Sequence, residues 1–146
     1  MRNTKLILMI VTFATLRFSA AYAEKAPLSK KQLEKTATHI IVGKVSAIYS
    51  RIEGKGNYEY KHYVAEVKVS KHEKGDAKNQ LMYVRYIDIS WKGWGRMPPG
   101  PSGHWPSPKV GSKYRFYLAQ NAYDGFSSSN DGGYNVIYGN GIQPVE

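Results

Sequence analysis

"YEYKHYVAEVKVSK" (residues 58–71) decides the fold. Tyr63, Ala65, Val67 and Val69 fall on one side of this stretch, and Glu66, Lys68 and Ser70 on the other. Alternation with a period of two, rich in β-branched residues, marks a strand with one buried face. A helix would scatter the same apolar residues around its axis.

The pattern repeats on both sides. Upstream, "HIIVGKVSAIY" (39–49) reads as a strand that places Ile41, Val45, Ala47 and Tyr49 together, with Gly43 marking a bulge or bend. "EGKGN" (53–57) turns the chain between the two. Downstream, "EKGDAKN" (73–79) is a turn and "QLMYVRYIDIS" (80–90) a third strand. "SKYRFYLAQ" (112–120) is a fourth, with Tyr114, Phe116 and Leu118 on one face. A polar loop (121–133) leads to "YNVIY" (134–138) as the fifth, and "GNGIQP" (139–144) closes the chain in a turn.

One helix precedes the strands. In "LSKKQLEKTA" (28–37), Ser29 and Gln32 have the spacing of a capping box. Leu28 and Leu33 occupy the two positions of a hydrophobic staple, and Leu33 and Ala37 lie four apart, able to face one core. Five strands and a short helix predict a mainly β chain, folded as a five-stranded antiparallel barrel of the OB type. A small sandwich is the alternative.

The first residues read as an export signal: Arg2 and Lys5, then the apolar run "LILMIVTFATL" (6–16), then "AYA" (21–23). Arg17 interrupts the run too early for a span of about 20 residues. The reading is a 1–23 signal peptide and a single barrel domain over 24–146, secreted or periplasmic, with no transmembrane segment after cleavage. Loss of Arg2, Lys5 and Arg17 takes the 21 basic residues to 18 against 11 acidic ones, a formal +7. That balance favours an anionic partner. The chain has no cysteine, which excludes thiolate metal sites and cysteine nucleophiles.

Three pieces, "ATHIIVGKVSAI" (37–48), "YVAEVKVSKHEKGDAKNQLMYVRY" (63–86) and "VGSKYRFYLAQ" (110–120), together resemble the netrin-like module, the OB-type barrel of the tissue inhibitors of metalloproteinases. Gly43, Lys44 and Val45 match its first strand pattern, Lys74 and Gly75 its turn, and Gly111, Tyr114 and Leu118 its later strand. The resemblance spans roughly two-thirds of the exported chain. It implies the fold. Protease inhibition in that family uses an N-terminal cysteine on the protease zinc; here the expected start is Glu24-Lys25-Ala26, so the inhibitory chemistry is not expected to carry over. The tail over 132–144, with its Pro/Gly/Trp stretch, is also similar to small exported bacterial proteins of unassigned activity.

Enzymatic motifs are missing. His39, His62, His72 and His104 form no HxH or HExxH spacing, there is no GxSxG, and no glycine run has phosphate-loop spacing. No catalytic residue, metal or cofactor is expected. A hydrolase built from dispersed residues would need His104 beside Asp88 or Asp124.

The remaining candidate is "WKGWGRMPPGPSGHWPSP" (91–108), which holds all three tryptophans and five of the seven prolines. Its prolines exclude a central strand and favour a stiff extended path. Either the indoles plug an open barrel end, or they present faces to a ligand beside Lys92, Arg96 and His104. The candidate binding set is therefore Trp91, Lys92, Trp94, Arg96, His104 and Trp105. Aromatic faces among cations suit sugar rings, unpaired bases or a proline-rich protein. The expected function is an exported, non-catalytic module binding a protein or anionic polysaccharide, with nucleic acid disfavoured by location. Protease inhibition and a hidden hydrolase are the alternatives.

Overall fold

The computed structural model describes residues 26–98, 102–120 and 132–146. The expected signal peptide and positions 121–131 of the polar loop lie outside the described residues.

Helix α1 (Lys30–Thr36) starts as its sequence dictates. The Ser29 hydroxyl accepts from the Gln32 N–H at 3.3 Å, and Gln32 Oε1 accepts from the Ser29 N–H at 2.9 Å. Two orphan donors of the first turn are thereby satisfied. Leu33 and Ala37 are buried, and Leu28 packs on the same cluster.

Six strands follow: β1 (His39–Lys55), β2 (Tyr58–Lys74), β3 (Leu81–Trp91), β4 (Lys113–Gln120), β5 (Tyr134–Val136) and β6 (Ile142–Pro144). Pairings β1–β2, β2–β3, β3–β5, β5–β4 and β4–β1 return to their starting strand, so the hydrogen bonding closes into a ring. Within it β3 and β5 run parallel, Val84 opposite Tyr134. Two expectations are corrected here. The chain does not build five strands, all antiparallel; one pairing is parallel, and the closing turn contains a sixth strand. Ile142, 1% exposed, pairs with Phe116 and completes the core.

The main core gathers the inward residues of the ring, among them Ile41, Val45, Ala65, Val67, Phe116 and Leu118. Each large side chain so buried contributes about 1.5–3 kcal/mol. A second cluster lies on the other face of β4. There Tyr117 and Ala119 are covered by Leu33, Ala37, Ile40 and Ile137. This is why β4 reads apolar on both sides: one face meets the ring interior, the other the helix.

Bulges bend the long hairpin. The register passes from Val45↔Val67 to Ala47↔Glu66, leaving Ser46 as the extra residue. An extra residue reverses the facing of everything beyond it. Ile48 consequently packs on the core, and Tyr49 is 56% exposed. The expectation that Ala47 and Tyr49 would share the inner face with Val45 is overturned for this reason. Gly43 sits at another register step, where an added Cβ would stand 2.6 Å from both the Lys68 carbonyl oxygen and Val67 Cγ1. Only a residue without a side chain lets β1 approach β2 so closely there.

Candidate ligand-binding connection

The six residues singled out in the β3–β4 connection do not form one cluster. Trp91 ends β3 directly opposite Tyr58, and their rings meet edge to face at 5.0 Å. Tyr58 in turn lies 6.3 Å from Tyr60. Trp91 is half-buried, and its indole N–H is shielded without a partner among the described residues. It anchors the connection to the hairpin. The Lys92 N–H donates to the Asn57 carbonyl at 2.8 Å, and its ammonium lies 3.5 Å from Glu59 Oε1.

Beyond that anchor the chain leaves the sheet. Trp94 is fully exposed, at 102% of its reference area, and Arg96 is exposed with no ion-pair partner among the described residues. An unburied indole of this size forgoes the apolar area that a plug would bury.

The connection then returns to β3 through an antiparallel bridge between Asp88 and Gly103. Gly103 has φ +88, and a Cβ there would stand 2.6 Å from the Ile87 carbonyl oxygen. The antiparallel sense carries the next residues back along β3, away from Trp91. His104 is thus drawn into the sheet and is 3% exposed. Its main-chain N–H donates to the Ile87 carbonyl at 2.8 Å. Its Nδ1 accepts from the Ile87 N–H at 3.0 Å, and its Nε2 lies 3.0 Å from the Val136 carbonyl. This pattern fixes the tautomer with the proton on Nε2. Burial pushes the imidazole pKa down, against the opposing pull of two carbonyl oxygens, that of Ile87 at 3.1 Å from Nδ1 and that of Val136 at 3.0 Å from Nε2. His104 is corrected accordingly: it does not stand beside the tryptophans as a surface donor but joins β3 to β5 at the point where their ladder ends.

Trp105 emerges on the far side of that pin. Its N–H donates to the Gly139 carbonyl at 2.6 Å while its side chain stays 79% exposed. It borders a cleft of about 290 Å³, completed by Tyr138, Gly139, Asn140, Ala26 and Pro27. The wall is held by Asn140, whose Oδ1 accepts from the Leu28 N–H at 3.2 Å and whose Nδ2 donates to the Leu28 carbonyl at 2.7 Å. An apolar ring beside a few fixed polar groups is the usual make-up of a small ligand site.

Two exposed indoles, Trp94 and Trp105, therefore flank the Asp88–Gly103 bridge along the chain, with Trp91 anchoring the start of the connection and His104 its return to β3. Tyr58, Tyr60, Tyr138 and Asn140 were not singled out from the sequence. Tyr58 and Tyr60 were legible as a same-face pair at the start of a strand, but their meeting with Trp91 depends on register. Asn140 gives no local signal, since its partner lies 112 residues away.

The other histidines are placed apart. His39 is buried, with Nε2 2.9 Å from Asp76 Oδ1. His62 Nε2 is 3.4 Å from Glu53, and His72 is in β2 with Nε2 3.0 Å from the Asn79 carbonyl. Among the described residues no three His, Cys, Asp or Glu side chains converge as metal ligands. Both ring nitrogens of His104 are engaged by main-chain groups, which removes it as a base paired with Asp88; Asp124 lies outside the described residues. No helix among the described residues is long and apolar enough to cross a membrane. Compared with protein-family models, curated proteins and solved structures, the chain matches none.

Proposed function

We propose that this protein is an exported, non-catalytic binding module on a netrin-like, OB-type barrel, and that its β3–β4 connection holds an anionic glycan of the envelope or extracellular space. The observation that carries the reading is the exposure of Trp94 and Trp105 on a proline-stiffened connection. Burying either indole on a sugar face recovers apolar area that the fold itself leaves in water. Stiffness lowers the ordering cost of doing so. Lys92 and Arg96 supply positive charge next to Trp94, and the chain as a whole is basic. In support of the barrel type, the strands close as a ring in the order β1–β2–β3–β5–β4 with β3 and β5 parallel.

The test is tryptophan fluorescence of the exported form titrated with anionic and neutral polysaccharides at two salt concentrations. Quenching by the anionic polymer that weakens as salt rises supports the reading. Quenching by a protein fraction, indifferent to salt, would replace the glycan with a protein partner. No response to any of them removes the binding role of the connection.

A further inference from the structure

The β1–β2 hairpin, paired with β3 along β2 as far as Tyr58, runs on past the end of the β1–β4 pairing. Strand β4 pairs with β1 only over His39 to Lys44, and the last main-chain bonds on that side join Val45 to Gly111 and Ser112. From residue 48 to residue 55, β1 has β2 on one side and no strand on the other among the described residues. The two-residue turn at Gly56 and Asn57, with Gly56 at φ +61, sets the phase. Lys55 pairs with Tyr58 across it, so Lys55, Glu53, Arg51 and Tyr49 direct their N–H and C=O groups to β2. Ile48, Ser50, Ile52 and Gly54 direct theirs outward. An open edge of this length is a template for another strand.

The side chains along the edge specify which strand. Read in opposite directions about Ile52, the run Tyr49-Ser50-Arg51-Ile52-Glu53-Gly54-Lys55 is complementary to itself. Arg51 meets Glu53 of a second copy, Glu53 meets Arg51, and Tyr49 meets Lys55, a cation–π pair. These side chains share the outer face, while Ile52, which is 61% exposed, meets its own counterpart on the other face. The main chain agrees with this register. Ile52 and Ser50 would exchange bonds with Ile52 and Gly54 of the other copy, about six in all. Centring on Arg51 would oppose like charges, and centring on Ser50 would set Glu53 against Ala47.

We infer that two copies of this chain associate through their β1 edges, antiparallel about Ile52, to form one continuous sheet. Joining edges in this way removes the unpaired rows of both copies and gives a closed, two-fold pair.

Sedimentation of the exported full-length form over a wide concentration range tests the inference. Wild type shows a reversible monomer–dimer equilibrium. Arg51→Glu or Glu53→Arg alone opposes like charges across the two-fold and weakens dimerisation about tenfold or more. The double exchange, Arg51→Glu with Glu53→Arg, restores it to within about threefold of wild type, because each new charge again meets its opposite. The measurement is made at one fixed pH and salt concentration for all variants. A second readout needs no variant: the Ile52 and Gly54 amides of wild type exchange slowly in the dimer and rapidly on dilution. A chain that stays monomeric, a dimer indifferent to the single exchanges, a double variant no better than the single ones, or edge amides that exchange alike in both states would each overturn it.

Discussion

The Nδ1 atom of His104 lies 3.0 Å from the main-chain nitrogen of Ile87 and takes its hydrogen bond. The same Ile87 gives its carbonyl to the His104 N–H, so one residue of the connection replaces a strand neighbour for β3. The other ring nitrogen donates to the carbonyl of Val136, the last residue of β5. A residue that chemistry alone would nominate for a surface site is therefore spent on closing a gap in the sheet.

Removing that imidazole strands two buried main-chain groups. His104→Ala should cost about 2–4 kcal/mol of unfolding free energy, the penalty for leaving a donor and an acceptor unmet. Urea denaturation at pH 7.5 checks this, and a loss below about 0.5 kcal/mol would mean water meets both groups.

The same burial predicts a pH dependence. With its folded pKa held below the ordinary value, His104 takes up a proton more readily in the unfolded chain than in the native one. Its stabilising contribution is complete above the unfolded pKa of about 6.5 and is lost as pH falls from there through the folded pKa. Stability measured between pH 7.5 and 5 should decline in wild type more steeply than in His104→Gln. Parallel slopes would show that the ring titrates freely.

Glu73 titrates in a more acidic window. The Arg115 guanidinium grips it with two bonds, at 2.8 and 3.1 Å, and lowers its carboxyl pKa below the usual range. Stability from this pair is present above the unfolded pKa and disappears as pH falls through the folded one. Glu73→Gln should lose about 0.5–1 kcal/mol at pH 7, the discounted worth of a partly exposed pair. Urea denaturation at successively lower pH should show that difference shrinking as pH falls through the folded pKa.

Gly43 should not tolerate a methyl group. Gly43→Ala drives a Cβ to 2.6 Å from the Lys68 carbonyl, so β1 and β2 must separate or the bulge must shift. A destabilisation of about 1–3 kcal/mol is expected, as for other overpacked sites. A thermal midpoint equal to wild type would contradict this packing.

Trp94 and Trp105 carry the opposite expectation. Because both are exposed, Trp94→Ala and Trp105→Ala should change stability by no more than about 0.5 kcal/mol. Glycan-dependent quenching should nonetheless fall in each. Loss of stability without loss of quenching would place the indoles in the fold and not in recognition.

Much of the strand pattern could be read from residue order. Tyr63, Ala65, Val67 and Val69 face the core as their alternation requires, and Ser29 with Gln32 caps the helix as their spacing requires. The phase of β1 beyond Val45 could not, because Ser46 bulges only against a partner strand, and Ala47 and Tyr49 then face outward. Ile142 was hidden in a glycine-rich turn, since three residues carry too little periodicity to declare a strand. In the candidate site the exposed tryptophans were visible as composition. Their division between two places was not, because it follows from the Asp88–Gly103 bridge.

Residue order by itself determined what is local: which segments alternate, where the chain turns, how the helix begins, and the basic, cysteine-free composition that limits its chemistry. Tertiary structure alone decided the parallel placing of β5 beside β3, the sixth strand, the open edge of β1 and the withdrawal of His104 from the surface. The physical reason is range. Propensity and capping act within a few residues, whereas pairing register and burial are settled between segments far apart in sequence, where one bulge or one glycine redirects every side chain that follows.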